Sequence, residues 1–330
     1  MKYLIVDDEH ALYRQMFADL FSAATQGFEI EEVPRMQIPS VLLPLYNIHF
    51  CDRINRHFFL PFKSIWNPFY RLHQYNFSPQ EEYCVILLNG SLRYHFSNKY
   101  LREFKQCNPN VKLAMILYDS FSNPSAQRSI EMIPLFDVVF SFDEDDCRRH
   151  GFERIYSTFS KPESVRKCKD DYSSAFFVGY GQGRLDILQK TFSKISSAID
   201  GCRFMIAGVK EAEQVAIPGV IYNTTIPYEQ ELQFAYNTEC IVEVVREGQT
   251  GVSLRTCEAI AFNKKLLTNN KKLLDMPFYD ERYMRVFSDP EEIDLSFVKE
   301  KALVQYEHSD YFSPINIIRQ ISWIFGDIAR

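Results

Sequence analysis

The sequence predicts an α/β protein built from two domains, each with a parallel β-sheet. The chain has 330 residues, and one hydrophobic core rarely serves more than about 250–300 residues. Short apolar runs alternate with segments of helical periodicity in both halves, which is typical of parallel sheets covered by helices. Residues 160–173 interrupt this alternation, since they are polar, contain Pro162 and lack apolar periodicity. Ligands of such sheets bind at the carboxyl ends of strands, so we expect the active site in a cleft between the domains.

The elements follow in order along the chain. The apolar run of residues 3–6 predicts a strand, and apolar residues at helical spacing predict a helix over residues 11–23. Further strands are predicted over residues 83–88, 112–118, 137–141 and 155–159, with helices over 99–105 and 143–150. After the break, strands are predicted over residues 175–179, 203–207, 219–222, 240–245 and 265–268, with helices over 184–199, 228–236 and 253–261. A last helix begins near Pro314, giving domains of residues 1–160 and 174–312, a linker of residues 161–173 and a terminal segment of residues 313–330.

Composition excludes several classes of protein. The net charge is −6, and a nucleic-acid partner is not expected because phosphate binding needs a cationic surface. The eight cysteines form no C-x-x-C pair and no zinc-type spacing with histidine. The apolar run at the N-terminus is too short for export, and no stretch of about 18 apolar residues predicts a membrane-spanning helix. We therefore expect a cytoplasmic protein with reduced thiols.

The most informative stretch follows the strand predicted over residues 240–245. Its sequence is Gly248-Gln249-Thr250-Gly251-Val252-Ser253-Leu254-Arg255-Thr256-Cys257-Glu258. Two glycines allow a sharp turn, and the first helical turn then offers free N–H groups and a positive dipole end to a phosphate. The hydroxyls of Thr250 and Ser253 and the guanidinium of Arg255 can donate further hydrogen bonds to the phosphate. The Glu258 carboxylate can accept hydrogen bonds from ribose hydroxyls. The alternative is a plain glycine-containing turn with arginine and glutamate on the surface.

This stretch resembles the nucleotide-binding segment of GT-B glycosyltransferases. The likeness extends upstream to residues 226–232 and downstream to residues 258–270, and roughly residues 136–325 fit. It is closest to bacterial enzymes of lipopolysaccharide, O-antigen and capsule assembly. The resemblance implies two Rossmann-like domains facing a cleft, with the terminal helix packed back toward the first. It also implies a nucleoside-diphosphate or CMP sugar donor, a saccharide or lipid-linked saccharide acceptor, and neither a cofactor nor a catalytic metal. The implied donor-binding residues are Gly181, Arg184, Tyr228, Thr250, Gly251, Ser253, Arg255 and Glu258.

Two features depart from or compete with the resemblance. Many retaining GT-B enzymes place two glutamates eight residues apart, but eight residues before Glu258 lies Thr250. The sequence therefore leaves open whether configuration is inverted or retained. A second glycine cluster, at residues 179–183, precedes Arg184 and is expected to face the donor diphosphate. It also suggests a dinucleotide-binding loop, but its G-x-G-x-G pattern is incomplete for an oxidoreductase.

The N-terminus carries a competing motif. Residues 4–10 resemble the opening of a response-regulator receiver, in which paired aspartates bind magnesium, and Asp52 and Lys105 are its candidate phosphoacceptor and lysine. Neither lies in the expected strand context. For a glycosyltransferase, Asp8, His10 and Asp119 are instead candidates for the base that deprotonates the acceptor hydroxyl. Their alternatives are a solvated residue at a helix start and a helix cap. A GT-B protein that has lost catalysis is a further alternative.

Two charged segments allow more than one interpretation. Residues 53–73 combine basic and aromatic side chains without any Asp or Glu. This composition suits an anionic membrane or a lipid-linked acceptor, and equally a helix packed on the core with a basic outer edge. The acidic run of residues 143–146 is interpreted as a solvated helix N-terminus rather than a metal site.

Overall fold

A computed structural model describes residues 1–7, 11–21, 27–88, 95–118, 121, 127–246 and 251–327. The chain divides into two compact units, one of Met1–Tyr156 with Pro314–Arg330 and the other of Ser157–Ser313. Within the described ranges, no helix combines the length and apolar character needed to cross a bilayer.

The first unit is built on a six-stranded parallel sheet. Its order is β2-β1-β3-β4-β5-β6. The strands are β1 (Lys2–Val6), β2 (Glu29–Val33), β3 (Tyr83–Leu88), β4 (Val111–Leu117), β5 (Val138–Ser141) and β6 (Glu153–Arg154). The α-helices are α1 (Ala11–Met16), α2 (Leu43–His49), α3 (Asp52–His57), α4 (Arg71–Gln74), α5 (Asn98–Cys107), α6 (Glu144–His150) and α11 (Ile315–Ile324). Short 3₁₀ segments lie at Ala18–Phe21, Ser40–Leu42, Lys63–Phe69 and Gln127–Leu135.

The centre of this sheet is apolar on both faces. All six residues of β3 are buried, as expected for a parallel strand covered by helices on each side. The core beside it includes Trp66, Tyr70 and Phe104. Terminal helix α11 belongs to this unit. Asp327, three residues beyond this helix, accepts hydrogen bonds from the Met1 ammonium (3.2 Å) and the Tyr3 hydroxyl (3.1 Å), which connects the segment after α11 to β1.

The second unit holds another six-stranded parallel sheet, in the order β12-β11-β10-β7-β8-β9. Its strands are β7 (Ser173–Tyr180), β8 (Cys202–Ala207), β9 (Val220–Tyr222), β10 (Thr238–Glu243), β11 (Lys265–Thr268) and β12 (Met284–Val286). Its α-helices are α7 (Leu185–Ser196), α8 (Tyr228–Tyr236), α9 (Leu254–Ala261) and α10 (Leu295–Lys299). Short 3₁₀ segments lie at Glu211–Glu213, Lys271–Asp275 and Pro290–Glu292.

Strand order in the second unit defines where a ligand should bind. Counted from β7, the sheet runs 3-2-1-4-5-6, which is the Rossmann order. The chain leaves β7 toward one edge and returns at β10 to build the other, so the order reverses between these two neighbours. Ligands of such sheets bind beyond the carboxyl ends of the strands at this switch point.

Three sequence-based expectations differ from the structure. The strand predicted over residues 155–159 is wrong, because β6 ends at Arg154 and the Phe159 amide bonds instead to the Phe312 carbonyl (2.7 Å). The helix predicted over residues 11–23 ends at Met16 and continues as a 3₁₀ turn. Residues 161–173 belong to the second unit.

The receiver alternative for the N-terminus is also wrong. Asp52 is the first residue of helix α3 rather than the end of a strand. Lys105 lies within helix α5 and forms an ion pair with Asp137 (3.0 Å). Neither residue therefore occupies the strand-end position that a phosphoacceptor or its partner lysine requires.

Candidate functional site

The candidate site lies at the switch point of the second sheet, where β7 and β10 end. The loop after β10 leads into helix α9, whose N-cap is Ser253. Residues 247–250 of this loop, including the predicted ligand Thr250, lie outside the described residues. The described part of the site consists of the strand ends, the helix and their neighbours.

A buried carboxylate anchors the start of α9 to the sheet. Glu243, the last residue of β10, is 2% exposed. Its Oε1 accepts hydrogen bonds from the hydroxyls of Ser253 and Thr256, the latter at 3.0 Å, and its Oε2 accepts one from Thr268 on β11. Burial raises the pKa of Glu243, whereas these three hydroxyl donors oppose the rise. The network ties helix α9 to two adjacent strands.

Ser253 is fully engaged within the protein. Its hydroxyl donates to Glu243 and accepts from the Arg255 amide (3.1 Å) as the helix cap. Since a serine hydroxyl has a single hydrogen to donate, Ser253 holds the helix start in place in this structure. Its predicted role as a direct donor ligand stays a prediction.

Two asparagines after β11 hold the loop from the other side. Asn269 exchanges hydrogen bonds with the backbone of Val245, accepting from its amide (2.6 Å) and donating to its carbonyl (3.3 Å). The Asn270 side chain donates to the carbonyl of Gly251 (3.1 Å). Val245 and Gly251, which lie on either side of residues 247–250, are thus held by the two side chains that follow β11.

Arg255 and Glu258 form the charged centre of the site. Arg255 makes ion pairs with Glu258, one helical turn further along α9, and with Glu231 on α8. Glu258 is 0% exposed, and the Tyr228 hydroxyl lies 3.4 Å from its Oε1. Burial raises the pKa of Glu258, and the charge of Arg255 opposes that rise. Three of the predicted donor-binding residues, Tyr228, Arg255 and Glu258, therefore lie together.

Arg184 adds a second cation at the strand ends. Its guanidinium donates to the carbonyls of Tyr180, at 2.8 Å, and of Val244, and so joins the segments that follow β7 and β10. Burial, followed by repulsion from Arg246 and Arg255, lowers the pKa of Arg184 to about 10. Arg184, Arg246 and Arg255 thus lie near enough to one another, at the carboxyl ends of the strands, for their charges to interact. An anion bound there would relieve it.

Close packing leaves no room for a side chain at Gly181. A Cβ at this position would lie 3.0 Å from the Cγ2 atoms of both Ile206 and Val209, closer than methyl groups normally approach. The Gly181 amide donates to the carbonyl of Ala207 (2.8 Å). The glycine thus allows the turn after β7 to lie against β8, beside Arg184.

The predicted catalytic residues Asp8, His10 and Asp119 all lie outside the described residues. Five residues of the site were not predicted as site residues: Glu243, Thr256, Thr268, Asn269 and Asn270. Each is a polar side chain at a strand end or at the start of α9, and Glu243 interrupts an apolar run of the sequence. Polar residues in such positions are a signal that could have found them.

Comparison with known proteins agrees with this architecture. Residues 186–301 match a family described as glycosyl transferase-like, whereas no curated protein matches the chain in sequence. A proposed UDP-N-acetylglucosamine 2-epimerase of Listeria monocytogenes is similar with a TM-score of 0.57 and 9% identity, covering 100% of this chain and 98% of that one. The MnaA–UDP structure of S. aureus has a TM-score of 0.50 and 11% identity, covering 100% and 98%. Anabaena HepE, solved with UDP and glucose, has a TM-score of 0.50 and 9% identity, covering 99% and 100%.

The two parallel sheets and these structural likenesses define a two-domain α/β protein of the GT-B fold. The stretch that matches the glycosyl transferase-like family lies within the second unit and includes Tyr228, Glu243, Arg255 and Glu258 of the candidate site. The predicted GT-B resemblance is thus confirmed in the fold and in the glycosyl transferase-like match of residues 186–301.

Proposed function

We propose that the second unit binds a nucleoside-diphosphate sugar and that the enzyme transfers its glycosyl group to a saccharide hydroxyl. The observation that carries this proposal is the group of three arginines, residues 184, 246 and 255, at the switch point of a Rossmann-type sheet. The switch point is where such sheets bind ligands. The guanidinium groups of these arginines can donate charge-assisted hydrogen bonds to a diphosphate and stabilise it as a leaving group.

Donor binding is proposed to rearrange one ion pair. Glu258 is enclosed by Arg255 and Tyr228, so a ribose reaches its carboxylate only when Arg255 turns away. A diphosphate offers Arg255 a new anionic partner, which leaves Glu258 free to accept the ribose hydroxyls. The HepE structure holds UDP and glucose, and the MnaA structure holds UDP, which supports a uridine nucleotide as the first donor to test.

The test is a thermal-shift screen of UDP-, GDP-, CMP- and dTDP-sugars on the wild type and Glu258→Gln. Glu229→Gln is a matched control, because Glu229 is an exposed glutamate beside Tyr228 on helix α8. We expect one nucleotide to stabilise the wild type and the control, and to stabilise Glu258→Gln clearly less. Equal stabilisation of all three proteins, or of none, would refute the site.

Transfer itself is tested by turnover. The GT-B fold is shared with a proposed 2-epimerase, so the stabilising nucleotide sugar is incubated with and without saccharide acceptors. We expect nucleoside diphosphate to be released only when an acceptor is present. Formation of an epimeric nucleotide sugar without acceptor would contradict glycosyl transfer. Loss of turnover without loss of donor binding in Asp8→Asn, His10→Gln or Asp119→Asn would identify the base.

The acceptor is proposed to be a lipid-linked saccharide of surface polysaccharide synthesis, reached from a membrane surface. The first unit exposes large apolar side chains within residues 41–65: Val41 (82%), Leu45 (55%), Ile48 (57%), Phe58 (67%), Phe62 (78%) and Ile65 (56%). Phe62 also has a φ of 61°, a strained conformation for a bulky residue. Exposed Arg53 and His57 lie in the same stretch of the chain. Apolar side chains bordered by basic ones suit the interface of an anionic bilayer.

Co-sedimentation with phosphatidylglycerol vesicles tests this surface. We expect the wild type to bind and the double variant Phe58→Ser, Phe62→Ser to bind at least about tenfold more weakly, because two apolar anchors are lost. Leu303→Ser is the control, since Leu303 is 90% exposed in the second unit. If both variants bind like the wild type, the surface does not contact the membrane.

A further inference from the structure

A cavity lies at the amino-terminal ends of the strands of the second sheet, whereas the donor site lies at their carboxyl ends. Its volume is about 500 Å³, and Lys167, Tyr172, Tyr236, Glu239 and Lys264 are among the residues that line it. These residues precede or begin β7, β10 and β11, at their amino-terminal ends. At roughly 3.3 Å per residue, the two ends of β10 lie about 17 Å apart. The cavity is therefore separate from the proposed nucleotide site.

The lining of this cavity is cationic. It contains Lys167, Lys169 and Lys264, with Glu239 as its acidic residue. Three ammonium groups against one carboxylate leave an excess of two positive charges, in a protein whose net charge is −6. Such an excess matches the charge of a phosphate dianion.

Lys264 is held in the cavity at an energetic cost. Burial, followed by repulsion from Lys167, lowers the pKa of Lys264 to about 8, and Glu239 opposes this effect. Within the described part of the chain, no carboxylate forms an ion pair with its ammonium. A partly buried cation without a paired anion is favourable when a ligand supplies the negative charge.

An aromatic ring completes the cationic wall. The Nζ atoms of Lys264 and Lys161 lie 5.7 Å and 5.8 Å from the centroid of the Tyr236 ring. A ring within about 6 Å attracts ammonium groups and keeps them near its face. The same ring gives a ligand an apolar surface to lie against.

The wall of the cavity is fixed by hydrogen bonds from helix α8. Gln233 exchanges bonds with the backbone of Arg166, accepting at 3.1 Å and donating at 2.9 Å. Asn237 accepts from the Cys168 amide (2.8 Å) and donates to the Arg166 carbonyl (2.9 Å). These contacts hold the segment that carries Lys167 and Lys169 against the sheet, so the lysines face a preformed cavity.

We propose that this cavity is a second ligand site, which binds a small phosphomonoester with its phosphate between Lys167 and Lys264. The volume lies within the range of about 300–1,000 Å³ that is usual for small-molecule sites. The proposal does not depend on the donor assignment, because none of the residues involved belongs to the donor site.

Cys168 lines the cavity and provides a direct probe. The test measures its rate of alkylation by iodoacetamide in the intact chain, with mass-spectrometric readout, while exposed Cys107 serves as the internal control. We expect glucose 6-phosphate to slow alkylation of Cys168 at least fivefold and to leave Cys107 unchanged. UDP should give no protection of Cys168, since it occupies the other edge of the sheet. Equal protection by sodium chloride at matched ionic strength would overturn the proposal.

Charge variants test which groups bind the phosphate. Lys167→Gln and Lys264→Gln should each require about tenfold more glucose 6-phosphate for half-protection, as expected for the loss of one charge-assisted contact. Lys299→Gln, at an exposed lysine on α10, should behave as the wild type. Protection that survives in both cavity variants refutes the site. Protection by phosphatidic acid vesicles but not by glucose 6-phosphate would overturn the proposed soluble ligand in favour of a lipid headgroup.

Discussion

The hydroxyl of Thr268 should be essential to the stability of the second unit. Thr268→Val keeps the shape of this fully buried side chain but removes its hydrogen bond to the Glu243 carboxylate. A hydrogen bond to a charged group contributes about 1.5–3 kcal/mol. The Asn270 amide also loses its acceptor, the Thr268 hydroxyl at 3.0 Å, which adds about 1 kcal/mol. We therefore expect the free energy of unfolding to fall by about 2.5–4 kcal/mol.

Thr191→Val is a matched control for this substitution. Thr191 is also 0% exposed in the second unit, but its hydroxyl has no hydrogen-bond partner among the described residues. Removing an unpaired buried hydroxyl should leave stability unchanged or raise it by about 1 kcal/mol. The two variants thus share their chemistry and burial and differ in the hydrogen bond alone.

The assay is urea unfolding followed by circular dichroism, with thermal melting as a second measurement. A loss of this size should lower the melting temperature of the altered transition by about 5–12 °C for a unit of this length. If Thr268→Val and Thr191→Val shift the urea midpoint equally, the Glu243 network does not hold helix α9 to the sheet.

Three further predictions concern charge and anchoring. Burial lowers the pKa of Lys264 to about 8, so between about pH 8 and 10.5 this lysine is neutral in the native state and charged in the unfolded state. The free energy of unfolding should therefore rise with pH across this window. Lys264→Gln should abolish that rise and increase the free energy of unfolding at pH 7 by about 2 kcal/mol, as measured from urea midpoints. Burial raises the pKa of Glu243, so the stability that its protonated form contributes is present below about pH 4.5 and is lost as pH rises through the native pKa. Glu243→Gln should therefore show a weaker pH dependence of the urea midpoint, and an unchanged pH profile would contradict this. Tyr3→Phe removes the 3.1 Å bond to Asp327 and should cost about 1 kcal/mol in urea unfolding, whereas no change would show that this contact does not anchor the terminal helix.

The regular elements of the second unit could be predicted closely from the sequence. Residues 228–236 and 265–268 are predicted as a helix and a strand, and the structure has both with the same bounds. A strand buried on both faces is mostly apolar, and this leaves a short apolar run in the sequence. The edge strand β2 leaves no such run, because its residues 29–33 include three glutamates. Its pairing depends on the backbone of β1.

The candidate site could be predicted in part. Arg255 and Glu258 follow from their spacing after the glycine loop, because residues three apart on a helix share one face. Their partners do not follow from local spacing. Glu231 lies 24 residues before Arg255, and it meets that residue only because α8 and α9 pack side by side. Thr268 likewise reaches Glu243 only through the pairing of β10 with β11.

The sequence by itself determined the alternation of strands and helices, the glycine loop and the charged face of the helix after it. These are local properties, because hydrophobic period, turn residues and helical spacing act over a few neighbours. Only the tertiary structure decided that the sheet reverses between β7 and β10, that Glu243 is buried against the start of α9, and that three lysines line one cavity with Tyr236. Each of these features depends on strand order and packing, which bring together segments that are distant in the sequence. Local sequence patterns do not specify such long-range contacts.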